Sequence, residues 1–203
     1  SEKLLPKEMK QHATSDCPFA PRECPNEGCK YKGFGKEGDY VARQIHRWTK
    51  QYKASETQHI PEMEQLIEWL PNNIPPGDKT TIVHGDYRLD NMVLHPTEPR
   101  VIAVLDWELC TLGDPLADFS YHLMNWVMPP GDSSRGSIMA IDDLKAWGIP
   151  TMDEYVDLYC KHTGRDGLPE LDYYFAYNGF RLAGILQGII GRVRDGTANS
   201  ANA

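Results

Sequence analysis

The sequence predicts an α+β fold: a mostly helical body that carries one small β-hairpin. Three observations predict it. Apolar residues recur at three- and four-residue intervals in several windows between Asp39 and Arg194, the spacing of helices with one buried face. Two short runs, Asn91–Leu94 and Val101–Leu105, flank the turn HPTEPR and read as a hairpin. The strands in prospect are too few for a doubly wound sheet, in which strands and helices alternate along the chain.

Composition sets the outer bounds. The chain has 203 residues, enough for one good-sized domain or two small ones. Its hydrophobic content of 40% and charged content of 25% are ordinary for a soluble globular protein. The net charge is −8 and the sequence pI is near 5.3. Sequence-independent binding to nucleic acid relies on Lys and Arg neutralising phosphates, so no nucleic-acid partner is expected. No apolar run approaches ~18 residues, so no membrane span is expected. The opening SEKLLPKEMK lacks the apolar core of a signal peptide. The five cysteines are Cys17, Cys24, Cys29, Cys110 and Cys160. Their odd count and uneven spacing suit reduced thiols and a cytoplasmic location.

In chain order, residues 1–38 read as an irregular segment with a short helix near residues 4–12. It holds Pro6, Pro18, Pro21, Pro25 and three of the cysteines, without a sustained apolar period. Val41, Ile45, Trp48 and Tyr52 then predict a helix over 39–54. Pro61 opens a second helix at its first turn; Met63, Leu66, Ile67 and Leu70 form its stripe, and Pro71 is expected to end it. PNNIPPGDK is a loop, and Thr80–His84 a short β-branched strand. After the hairpin, WELCTLG reads as a loop. Asp114 followed by Pro115 starts a helix that runs to about Val127, with an N-cap acceptor and a preset φ. MPPGDSSRGS is an exposed, mobile loop by composition. Thr151-Met-Asp-Glu154 is a capping box opening a helix to about His162, broken by Gly164–Gly167. The last helix runs from about Pro169 to Arg194, with Phe175, Gly179, Leu182, Leu186, Ile189 and Val193 along the side expected to be buried. Gly179, Gly184, Gly188 and Gly191 each weaken that helix by about 1 kcal/mol, a cost usually met where another element approaches closely. Residues 196–203 form a frayed tail, which leaves 39–195 as the folded body.

The chemistry concentrates in residues 82–106. A hairpin brings its two ends together, so Asn91 at the start of the first strand should meet Asp106 at the end of the second, with Asp86 on the loop beside them. Two carboxylates and an amide oxygen make an oxygen-rich site suited to Mg²⁺. The spacing from Asp86 to Asn91, preceded by His84-Gly85, equals that of kinase catalytic loops, where the Asp accepts the acceptor hydroxyl's proton and the Asn holds Mg²⁺. Asp106 then corresponds to the metal-binding carboxylate. Phosphoryl transfer asks for an oriented hydroxyl and neutralised phosphate oxygens more than for covalent help.

HGDYRLDN followed by VLDWELCTLGDPLADF resembles the aminoglycoside phosphotransferase/choline kinase-like family. The likeness is greatest to its branch associated with acyl-CoA dehydrogenases. DYVARQIHRWTKQY upstream and LAGILQGI downstream are similar to that branch too, so the resemblance covers roughly 33–195. It implies a protein-kinase-like fold, of which 39–195 would be the catalytic C-terminal lobe. It also implies ATP- and Mg²⁺-dependent phosphorylation of a small-molecule hydroxyl, with a hydroxyacyl compound as acceptor. Transferred residue by residue, Asp86 would be the catalytic base, and Asn91 and Asp106 would hold the metal and, through it, the nucleotide. Asp118 resembles the carboxylate that braces the catalytic loop in this family; a solvated Asp is the competing reading.

Other residues carry competing readings. Arg88 could reach a transferring phosphoryl oxygen as a catalytic partner of Asp86, or form an ion pair with Asp90 or Glu108. Glu108 suits a structural role, Asp90 an exposed charge or ion-pair partner, and His84 a hydrogen-bonded scaffold role. Gly33–Gly38 fits G-x-G-x-x-G but lacks the preceding strand that a cofactor loop needs, and reads as a turn. His12, Cys17, Cys24 and Cys29 lack the close Cys pairs of structural zinc sites. Trp107, Tyr121, Trp126 and Tyr173 could line an acceptor pocket, with core packing as the default. The nucleotide-gripping N-terminal lobe that the family implies is not evident in the first 38 residues, where Lys36 is a weak stand-in for its Lys. A missing lobe or a second copy of the chain is therefore expected to complete the site. Two alternatives stand beside the kinase: a truncated, non-catalytic kinase-like binding module, and a metal-dependent phosphohydrolase using Asp86, Asp106 and His84.

Overall fold

A computed structural model describes residues 38–76, 79–129 and 144–197. The GxGxxG segment apart from Gly38, the His12/Cys17/Cys24/Cys29 set, Lys36, most of the MPPGDSSRGS loop and the last residues of the tail lie outside that range. The described residues form two compact units. One holds 38–40 and 79–118, the other 41–76, 119–129 and 144–197. The α+β expectation holds: five helices and two small sheets among the described residues.

The first unit is built on four short strands. β2 (Met92–Leu94) pairs antiparallel with β3 (Val101–Val104), matching Met92 to Val104, Val93 to Ala103 and Leu94 to Val101. Ile102 is left over as a bulge at the irregular step beside Leu94. Their connection is closed by the His95 N–H to the Arg100 carbonyl, 2.9 Å. This is the predicted hairpin, one residue shorter at each end of the pair's base. β1 (Thr81–Val83) also finds a partner. It pairs antiparallel with β4 (Thr111–Gly113), in the register Thr81–Gly113, Ile82–Leu112 and Val83–Thr111.

β4 corrects the sequence reading, which made WELCTLG a loop. The segment folds instead as a 3-10 turn, Trp107–Leu109, followed by the strand. Three residues with one apolar member between Thr and Gly carry no alternation; what makes them a strand is the unpaired backbone of β1. Gly113 is required there, because a Cβ would lie 2.7 Å from the Tyr40 ring. Asp114 then caps α3 (Pro115–Val127) by accepting the Leu116 N–H at 2.9 Å, with Pro115 in the first helical position.

The second unit is helical. α1 (Tyr40–Ser55) buries Val41, Ile45 and Tyr52. α2 (Pro61–Asn72) buries Met63 and Leu70 and continues through Pro71, which was expected to end it. Pro71 sits in the last turn, where its missing N–H removes only one helical bond. From α3, Phe119 stacks on Tyr159 at 3.7 Å and Trp126 on Tyr155 at 5.2 Å, both on α4 (Met152–Thr163). α4 opens with the predicted capping box: the Glu154 N–H donates to Thr151 Oγ1 at 3.3 Å, and the Thr151 N–H to Glu154 Oε2 at 2.9 Å. It closes at Gly164, whose φ of 68° is left-handed.

α5 (Leu171–Arg194) is present, but it buries a different side from the one expected. Its buried residues include Tyr173, Tyr177, Asn178, Phe180, Arg181 and Gln187, while Leu186 is 53% exposed. Three of the buried polar residues make specific side-chain contacts. Asn178 Nδ2 donates to Ser120 Oγ at 2.8 Å, Gln187 Oε1 accepts from the Thr57 hydroxyl at 2.5 Å, and the Arg181 guanidinium lies over the Tyr121 ring at 4.6 Å. Gly184, Gly188 and Gly191 do lie on this side, facing Trp48, Gln51 and Ser55 of α1. Tyr121, Trp126 and Tyr173 are packed in place; the Tyr173 hydroxyl donates to the Leu70 carbonyl at 3.0 Å and the Trp126 indole to that of Pro150 at 3.0 Å. No helix among the described residues is long and apolar enough to cross a membrane. Cys110 and Cys160 are free thiols.

Candidate active site

The site grows out of the end of β1. Val83 and His84 are buried, and the chain then turns at Gly85 with φ +85°. A side chain at Gly85 would meet the Leu109 carbonyl at 2.9 Å, so the tight approach needs Gly as well as the positive φ. The two N–H groups exposed by this turn are both taken by Asp118, from the first turn of α3. Its Oδ1 accepts from Gly85 N at 2.9 Å and its Oδ2 from His84 N. Of the two readings left open for Asp118, the structure gives the brace.

His84 forms the second tie. The Asp86 N–H donates to His84 Nδ1 at 3.2 Å, which makes Nδ1 the acceptor and puts the ring proton on Nε2. Nε2 then donates to the Leu105 carbonyl at 2.7 Å. One buried ring thus joins the loop bearing Asp86 to the strand end before Asp106. Both of its nitrogens are engaged, which leaves neither for a metal. The Trp107 ring packs 4.7 Å from it, and the indole N–H donates to the Val104 carbonyl at 2.8 Å. Trp107 therefore supports His84; an aromatic residue directly after Asp106 was the sequence signal for it.

Asn91 forms the third tie. It closes the 3-10 turn Leu89–Asn91, and its Nδ2 donates to the Asp86 carbonyl at 2.8 Å and to Asp86 Oδ2 at 3.1 Å. Its backbone carbonyl accepts the Leu105 N–H at 2.8 Å. Asp106 is the next residue, exposed, with φ 64° and ψ 53°. Asp86, Asn91 and the residue before Asp106 are therefore linked at the open end of the hairpin, where the sequence expected the three polar side chains to converge.

With Nδ2 given to Asp86, the amide oxygen of Asn91 is the acceptor that remains. That oxygen and the Asp106 carboxylate are hard donors, the set that suits Mg²⁺ held by one or two carboxylates plus substrate phosphate. Arg88 is ion-paired with Asp90, and Glu108 is exposed. Burial pushes the Tyr87 phenol above its ordinary range, reinforced by the charge of Asp118.

Comparison with known proteins bears on this arrangement. The profile of the phosphotransferase enzyme family (APH) matches residues 7–155. Acyl-CoA dehydrogenase family member 10 of Mus musculus is 48% identical over 171 residues, which is 84% of this chain and 16% of that protein. Acyl-CoA dehydrogenase family member 11 of Homo sapiens is 40% identical over 183 residues, 86% of this chain and 22% of that protein. The crystal structure of a candidate aminoglycoside phosphotransferase from Ralstonia eutropha JMP134 superposes with a TM-score of 0.76 at 56% identity, covering 83% of this chain and 51% of that one. The chain thus spans 16–22% of the length of these curated relatives and about half of the solved chain.

Proposed function

The chain belongs to the phosphotransferase enzyme family, and on that premise we propose that it carries the acceptor-activating and metal-holding part of an ATP- and Mg²⁺-dependent kinase for a small-molecule hydroxyl. Asp86 takes the proton of the acceptor hydroxyl as its oxygen bonds to the γ-phosphorus and the bond to the leaving ADP oxygen breaks. Asn91 and Asp106 would hold Mg²⁺, which when bound neutralises phosphate oxygens and favours the leaving group. Arg88 adds a positive charge for the phosphoryl group in transfer.

The observation that carries this reading is the double hydrogen bond from Asn91 Nδ2 to the carbonyl and carboxylate of Asp86. It aims the base while keeping the amide oxygen for a cation, and the Leu105–Asn91 backbone bond brings Asp106 to the same end of the hairpin. A hydroxyacyl compound is the acceptor class we favour, because the relatives bear acyl-CoA dehydrogenase names. Cytoplasmic location fits the free thiols of Cys110 and Cys160.

Calorimetric titration of Mg²⁺–ATP into the chain and its Asp106→Ala variant tests the reading. Binding that is lost or weakened at least tenfold in the variant supports it. Equal binding by both chains, or no heat at millimolar nucleotide, rejects it for this chain. Asp86→Asn should still bind nucleotide while losing transfer to a hydroxyl.

A further inference from the structure

Resting on that reading, we propose that Asp90 is a positioning residue that holds Arg88 away from the phosphate position until a metal-bound nucleotide displaces it. The Arg88 guanidinium is ion-paired with the Asp90 carboxylate, two residues along, across the start of the 3-10 turn that ends at Asn91. Asp90 makes no other hydrogen bond or ion pair among the described residues. Its two neighbours in the site are committed differently: Asp86 and Asn91 are tied to each other. Asp90 therefore acts on Arg88 and on little else.

Charge around the loop gives this pairing a purpose. Asp86, Asp90, Glu98, Asp106 and Glu108 put five carboxylates into one stretch of 23 residues. The other described cations of this unit are remote in sequence or engaged: Lys79 precedes β1, and Arg100 is bound to Glu98 at 2.5 Å in the hairpin turn. Arg88 is thus the cation of the catalytic loop. A guanidinium two residues from the base attracts anions. Paired with Asp90 it attracts only a ligand that offers more than one carboxylate does. The pair is weak enough to give way, since its side chains are 38% and 71% exposed. Exposed pairs of this kind shift an equilibrium by roughly two- to fivefold.

The test is a double-mutant cycle read by calorimetric titration of Mg²⁺–ATP into four chains: wild type, Asp90→Asn, Arg88→Gln and the double variant. Asp90→Asn should bind roughly two- to fivefold tighter than wild type, a gain that impaired folding would not produce. In the Arg88→Gln background the same substitution should give no gain, and Asp90→Glu should restore the wild-type affinity. An unchanged or weaker Asp90→Asn overturns the inference. So does an equal gain without Arg88, which would reduce Asp90 to general repulsion. Either result leaves the phosphotransferase reading standing. Failure of all four chains to bind nucleotide overturns that reading and this inference with it.

Discussion

Replacing Asp118 with Ala should release the loop that carries Asp86. The carboxylate accepts two backbone N–H groups, from His84 and Gly85, and both residues are buried. Ala leaves both donors without an acceptor in a place water reaches poorly. Each stranded donor costs about 1–3 kcal/mol, so the pair costs about 2–5 kcal/mol after some relaxation. Whole chains of this size are stable by only about 5–15 kcal/mol, so the loss is a large fraction. Because the chain forms two compact units, a single global transition is a blunt readout. Native-state hydrogen exchange at the His84 and Gly85 amides is the direct one. A loss of about 2 kcal/mol corresponds to roughly thirtyfold faster exchange at these amides. Asp118→Asn keeps one oxygen acceptor and turns an NH₂ toward the other donor, so it should fall between wild type and Ala. Exchange in Asp118→Ala within about threefold of wild type at both amides would refute the brace, since no stranded donor costs less than about 1 kcal/mol.

Other expectations follow from the same geometry. Gly85→Ala combines a left-handed backbone with a 2.9 Å contact to the Leu109 carbonyl, so urea denaturation should show a loss of about 2–5 kcal/mol. Long-range ¹H–¹⁵N spectra of His84 should show the ring proton on Nε2, because Nδ1 accepts the Asp86 N–H; an Nδ1–H pattern would break the proposed link. Burial lowers the pKa of His122 from its ordinary 6.5, so the unfolded chain binds a proton that the fold resists, and stability should fall as pH drops below about 6.5. Burial raises the pKa of Tyr173 from its ordinary 10.0. There the fold retains a proton that the unfolded chain releases, so stability should fall as pH rises above about 10. Denaturation curves across pH, repeated with Tyr173→Phe, check the alkaline limb, which the substitution should flatten.

Much of this was legible in the sequence because its signals are local. The Asp114-Pro115 start and the Thr151–Glu154 box encode helix ends within four residues, and both caps form. The hairpin was legible because its turn and both strands lie within 14 residues. β4 was not, because its partner lies about 30 residues upstream and pairing of that range leaves no trace in a three-residue segment. The buried side of α5 failed for a different reason. Apolar residues surround that helix, and hydrophobicity alone put Leu186 on the buried side without singling out Asn178 or Gln187. Specific partners on Ser120 and Thr57 put those two inside, and a single sequence does not reveal which polar residues have partners. At the candidate site the meeting of Asp86, Asn91 and the Asp106 strand end followed from hairpin topology. The choice between partners for Arg88 and for Asp118 did not, since it turns on side-chain geometry.

The backbone of Asp106 makes one more point. At φ 64° it adopts a conformation that an L-residue with a side chain enters at a cost of about 1–2 kcal/mol. Glycine would hold the same turn without that strain. Selection for folding alone would therefore favour Gly at 106, and selection for a carboxylate at the strand end would favour Asp. Under the metal-holding role proposed for Asp106 the two pressures oppose each other at a single codon, so a lineage that ceased to need the carboxylate would gain stability by losing it.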